Sequence, residues 1–176
     1  MKILKIAILS LGLVALTPSV HAQKIGVRAG INYANVSGEA DTEALTGFYA
    51  GLFKEVTLVP ELFFLQPEVQ YSMQGFKFED TNYTIGYVNV PVVGKVYLAK
   101  IISFEAGPQV GFKVSDNFPE GSPDLKTVDM GIAGGIGLNF PFGLSINARY
   151  IQGFTDIQEE VEGKNQVLQL GAAFKF

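Results

Sequence analysis

The chain has 176 residues, no cysteine, one histidine and a formal charge of minus 4. These values bound it to about one domain, exclude disulfides, and turn it away from nucleic acid, whose phosphates require a basic face. Mean hydropathy is positive, yet beyond Leu16 no apolar run is long enough for a spanning helix, so the apolar residues must follow a dispersed pattern.

Lys2 and Lys5, the apolar run Ile6 to Leu16 and the small-residue site Val20-His21-Ala22 are the three regions of a secretory signal peptide. The apolar run is about half of the ~20 residues a membrane-spanning helix needs. Cleavage after Ala22 is expected, with residues 23–176 forming one domain. Loss of Lys2 and Lys5 takes 13 basic against 17 acidic residues from minus 4 to a formal charge of minus 6.

From Ile25 the sequence alternates with period two, the signature of a strand with two different faces. Ile25, Val27, Ala29, Ile31 and Tyr33 oppose Gly26, Arg28, Gly30 and Asn32. Phe48, Ala50, Leu52 and Val56 oppose Tyr49, Gly51, Phe53 and Glu55; then Phe63, Leu65, Val69, Tyr71 and Met73 oppose Gln66, Glu68, Gln70 and Ser72. A fourth strand sets Val88 to Leu98 against Asn89, Pro91, Lys95 and Tyr97, with Val93 breaking the alternation. A fifth sets Ile102 to Val114 against Ser103, Glu105, Gly107, Gln109, Gly111 and Lys113. The sixth places Val128, Met130, Ile132, Ile136, Leu138 and Phe140 against Asp129, Gly131, Ala133, Gly135, Gly137 and Asn139. The seventh places Leu144, Ile146, Ala148 and Tyr150 against Ser145, Asn147 and Arg149, and the last sets Leu168 to Phe176 against Gln169, Gly171, Ala173 and Lys175.

Long connections at residues 36–46, 75–84, 115–126 and 155–165 alternate with tight ones at 58–61, 99–100 and 141–143. This is the loop rhythm of an outer-membrane barrel. The expected fold is therefore all-β: an eight-stranded antiparallel up-and-down transmembrane barrel, with four long extracellular loops, three short periplasmic turns and both termini on the periplasmic side. Alternation alone also fits a soluble barrel, so the polar face decides. It is rich in glycine, which weakens a water-facing strand but suits the narrow interior of an eight-stranded barrel.

The charges sharing that inner face are Arg28, Glu55, Glu68, Lys95, Glu105, Lys113, Asp129, Arg149 and Lys175. Enclosed charges must be paired, which predicts a lumen network. Register suggests Lys95 with Glu105 and Lys113 with Asp129. The apolar face carries Tyr33, Phe48, Tyr71, Phe112, Tyr150 and Phe154 toward the long loops, and Phe63, Phe104, Phe140, Phe174 and Phe176 toward the short turns. These match two interfacial girdles. Lys54, the one charge on this face, sits where it can snorkel.

Catalytic readings are disfavoured. The only histidine, His21, lies in the expected leader, and without cysteine the usual nucleophile-base pairs and zinc ligand sets are missing. Glu55 and Glu68 on adjacent strands are the best paired carboxylates, with salt bridges to Arg28 and Lys175 as the preferred alternative. Gly131 to Gly137 lie in a strand with no following helix, so they are spacers and no phosphate loop. Asp156, Glu159, Glu160 and Glu162 form an acidic loop that suits divalent cations or lipopolysaccharide phosphates, but solvation accounts for it more simply. No catalytic, cofactor or metal site is expected.

Leu65-Gln66-Pro67-Glu68-Val69-Gln70-Tyr71 with Gly75, Tyr87-Val88-Asn89-Val90-Pro91, Glu105-Ala106-Gly107-Pro108, the Gly131 to Gly137 run and Ala148-Arg149-Tyr150 together resemble the PorT-like outer-membrane β-barrel family. Asn89 stands where that family is expected to have an acidic residue. The resemblance implies an outer-membrane barrel in a Gram-negative-type bacterium. It also implies that Phe176 is the C-terminal aromatic read by the barrel-assembly machinery. Outer-membrane lipid and lipopolysaccharide are the expected surroundings. The expected function is non-enzymatic, structural or surface-interacting; the alternative is a narrow pore or accessory component of outer-membrane transport or secretion, with a secretion or surface partner.

Overall fold

Strands with one apolar and one polar face are stable only when both backbone edges find partners. In the computed structural model, which describes residues 24–38, 43–78, 81–118, 126–156 and 163–176, they do so by closing on themselves. The eight strands are β1 (Lys24–Gly38), β2 (Glu43–Val59), β3 (Phe63–Phe78), β4 (Thr81–Leu98), β5 (Ile102–Asp116), β6 (Val128–Asn139), β7 (Leu144–Asp156) and β8 (Gly163–Lys175). Each pairs antiparallel with its neighbours in sequence, and β8 returns to β1 with Gly26 opposite Lys175 and Gly38 opposite Gly163. The N–H of Phe176 donates to Ile25 O at 3.0 Å, bringing the start of β1 and the end of β8 together at the short-turn side.

The strands run further than alternation suggests. β3 and β4 stay paired out to Phe78 opposite Thr81, so the stretch 75–84, expected as a long loop, is a hairpin with only residues 79–80 between its strands. Backbone pairing is indifferent to which face is apolar, so it continues past the point where the apolar residues, Phe76, Tyr83 and Ile85, change to the inner face. The expected signal peptide and Glu159, Glu160 and Glu162 lie outside the described residues.

The two faces are inverted relative to a water-soluble protein. Val27, Ile31, Leu52, Phe104, Ile132, Ile136 and Leu170 point outward and are exposed, while Arg28, Asn32, Glu68, Gln70, Arg149 and Gln169 are buried inside. Val93, which seemed to break the rule, is in phase on the inner face. It packs with Ala34, Ala133, Ile151 and Val167 in an apolar belt across the lumen.

Three short turns close the opposite end. In the tightest, the N–H of Ile101 donates to Leu98 O at 3.2 Å, and Ala99 and Lys100 both take left-handed backbone, φ 49 and 63. That conformation matches the twist of a two-residue hairpin but favours Asn-Gly over residues bearing an ordinary side chain.

Candidate functional site: the filled lumen

The lumen is where the sequence concentrates its charge, and its order follows the strands. Arg28, Glu68, Glu105 and Arg149 come from β1, β3, β5 and β7, so the odd strands supply one layer of two cations and two anions. Glu68 lies at its centre. It accepts from Arg28 Nη1 at 2.8 and 3.0 Å, and from Arg149 Nη1 at 2.9 Å and Nη2 at 2.7 Å. Arg149 also donates through Nε to Glu105 Oε1 at 2.8 Å. Arg28 Nη2 reaches Asn147 Oδ1 at 2.8 Å, Gln66 donates to Glu68 at 2.7 Å, and the Arg28 guanidinium lies 5.6 Å from the Tyr49 ring centre. The Arg149 fork meets Glu68 in the bidentate geometry that makes such pairs strong.

Glycines on the even strands make space for this layer. Gly51 is the register partner of Arg28, and Gly135 lies between Glu105 and Arg149. A Cβ at Gly135 would fall 3.1 Å from Glu105 Oε1 and 2.7 Å from Ala148 O.

Nearer the short turns, a second cluster gathers around Glu55. Tyr97 donates its hydroxyl to Glu55 Oε2 at 2.6 Å, Lys175 Nζ reaches Oε1 at 2.8 Å, and Lys95 Nζ lies 3.9 Å from Oε2. Of the carboxylates weighed as a catalytic pair, Glu68 is therefore bound by the two arginines and Glu55 by Lys175 and Tyr97.

Two expected pairings are corrected. Lys95 and Glu105 are register partners, but Glu105 is held by Arg149, and Lys95 turns to Glu55 and to Gln66 Oε1 at 3.5 Å. The long guanidinium fork crosses the lumen and satisfies two carboxylates at once, which a cross-strand ammonium does not. Lys113 pairs with Asp116 at 2.8 Å, not with Asp129. Asp129 lies deeper, opposite Gly111, and accepts from Asn165 Nδ2 at 2.8 Å, whereas Lys113 sits at the rim beside a half-exposed carboxylate.

The outer end is closed by apolar and aromatic groups that charge counting did not anticipate. Ile85 and Tyr87 are buried there, with Val36 and Phe118 packed on them. Tyr83 lies 4.9 Å from Phe118 and 5.4 Å from Phe76, ring centre to ring centre. Parity along the strands places Val36, Phe76, Tyr83, Ile85 and Tyr87 on the inner face, and Phe118, just past the end of β5, joins them only in the closed barrel. In the other half, cavities of about 30 and about 10 Å³ lie against Lys95.

Among the described residues no group of three or more His, Cys, Asp or Glu could hold a metal ion. Gln70, Asn89 and Gln109, on three successive strands, keep buried amide atoms with no hydrogen-bond partner. Such groups normally hold ordered water.

The outer face completes the picture. Phe48 and Tyr71 lie 5.9 Å apart toward the long-loop end, while Phe140 with Phe142 and Phe174 with Phe176 form pairs toward the short turns. Between them runs the exposed aliphatic band.

Comparison with known proteins agrees on the fold. Neisserial surface protein A is 15% identical and superposes with a TM-score of 0.64, over 86% of this chain and 97% of that one. Ail, the attachment invasion locus protein of Yersinia pestis, solved in complex with the heparin analogue sucrose octasulfate, is 14% identical with a TM-score of 0.57, over 89% and 100%. The outer membrane enzyme PagL is 15% identical with a TM-score of 0.52, over 85% and 98%. No curated protein matches the chain. A family model for the outer membrane protein beta-barrel domain matches residues 20–159, so the chain belongs to that family and is an outer-membrane β-barrel.

Proposed function

We propose that this protein is a non-enzymatic surface-interaction barrel in the outer membrane of a Gram-negative-type bacterium, exported with residues 1–22 removed. One observation carries the reading: the lumen is filled across its section by the Arg28–Glu68–Arg149–Glu105 layer and the apolar belt, and is closed outward by Tyr87 and its aromatic neighbours. A barrel so filled offers its strand-connecting segments and outer rim for binding. The similarity to Ail and to Neisserial surface protein A supports this, since those proteins are described as an attachment protein and a surface protein. PagL shows that the same fold also carries an enzyme; the lack of cysteine and of any histidine outside the proposed leader favours the non-enzymatic reading here.

Within this reading the chain is PorT-like, and Phe176 is the residue read by the barrel-assembly machinery. Lipopolysaccharide and outer-membrane lipid surround the band, and a surface or secretion partner meets the rim. Crosslinking in living cells from photoreactive residues in the outer connections tests the proposal. A reproducible surface or envelope partner is the expected result. Steady channel steps in a planar bilayer would favour the transport alternative instead.

A further inference from the structure

Lys95 is a poorly held charge. It is 8% exposed, yet its contacts are Gln66 Oε1 at 3.5 Å and Glu55 Oε2 at 3.9 Å, well beyond the roughly 2.7–2.9 Å of a charge-assisted bond. The nearby carboxylates are engaged elsewhere. Glu55 accepts from Lys175 and Tyr97, and Glu105 from Arg149. Among the described residues, the charged side chains enclosed in this half of the lumen are Arg28, Arg149, Lys95 and Lys175 against Glu55, Glu68 and Glu105, one positive charge in surplus. Both remaining ammonium groups lie against one ring: Lys95 Nζ is 5.1 Å and Lys175 Nζ 5.3 Å from the Tyr97 ring centre.

Beside them is the cavity of about 30 Å³, walled by Lys95, Lys175, Ser145, Glu55 and Tyr97. A water needs roughly 10–15 Å³ measured this way, so the space admits a particle larger than one water. We propose that this cavity is a binding site for a small monovalent anion of the halide class, chloride in the cell, held between Lys95 Nζ and Lys175 Nζ with the Ser145 hydroxyl alongside. The anion neutralises the surplus and screens the two ammonium groups from each other. Glu55 lines the same cavity, with Oε1 accepting from Lys175 and Oε2 from Tyr97; Lys175, which also donates to the Tyr97 hydroxyl, keeps one proton for the anion. Entry is from the short-turn side, where the Lys175 side chain is 21% exposed; the arginine–glutamate layer and the apolar belt close the other direction. The inference rests on lumen geometry and is independent of any surface partner.

The test uses the mature barrel refolded in detergent micelles, with unfolding midpoints followed in sodium chloride and in sodium gluconate at equal ionic strength. Chloride is expected to raise the midpoint along a saturating curve, and Lys95→Met to abolish that rise. Lys175→Met, at the rim, gives the same readout should Lys95→Met fail to fold. In crystals soaked with sodium bromide, an anomalous peak between the two ammonium groups is expected. Equal midpoints in the two salts, a rise that survives both substitutions, or a cavity holding only water in the soaked crystal would overturn the proposal.

Discussion

Glu68 is the side chain on which the lumen turns, because its two oxygens receive both arginines. Replacing it with glutamine leaves two guanidinium groups without their shared counter-charge in an enclosed space. Breaking a buried pair in this way costs about 3–5 kcal/mol. Glu68→Gln is therefore expected to lower stability by that order, measured by urea unfolding in lipid vesicles. Tyr97→Phe removes one hydroxyl, donated to Glu55 at 2.6 Å and accepting from Lys175 at 3.2 Å. The expected loss is smaller, about 1–3 kcal/mol, read in the same assay. At this scale the sequence located the charges but not their partners. Parity puts Glu68, Glu105 and Arg149 on one face, but which cation reaches which carboxylate depends on the lumen width and on the reach of arginine.

Single strands show how much the backbone constrains. Gly134 and Gly135 are neighbours in β6 with opposite demands. A Cβ at Gly134 meets nothing within 4 Å, while one at Gly135 strikes Glu105 and the backbone of β7. Gly135→Leu is expected to abolish the folded-barrel shift between unboiled and boiled samples on a denaturing gel, whereas Gly134→Leu retains it. The Ala99-Lys100 turn holds two left-handed residues, a conformation costing roughly 1–2 kcal/mol each outside glycine. Converting it to Asn-Gly is expected to raise the unfolding free energy by about 1 kcal/mol in the urea assay. Tightness here was legible from the short gap between alternating segments. The extra length of β3 and β4 was not, because the apolar residues there, Phe76, Tyr83 and Ile85, stand on the inner face, out of phase with the lipid-facing band.

For the molecule as a whole, the exposed aliphatic band and the polar interior make lipid the solvent of the outer face. Ile132→Arg, midway along β6 on that face, is expected to cost about 2–4 kcal/mol in vesicles, the depth-dependent penalty for a charge at the bilayer midplane. The sequence by itself determined that there are eight strands and which face of each is apolar across the band. A strand's two faces meet different surroundings, and that difference is written locally as period two. Only the tertiary structure decided that Glu68 binds two arginines, that Lys113 stays at the rim with Asp116, and that Ile85, Tyr87 and Phe118 close the outer end. Those contacts join residues from strands far apart in the chain, and closure of the sheet sets their distances.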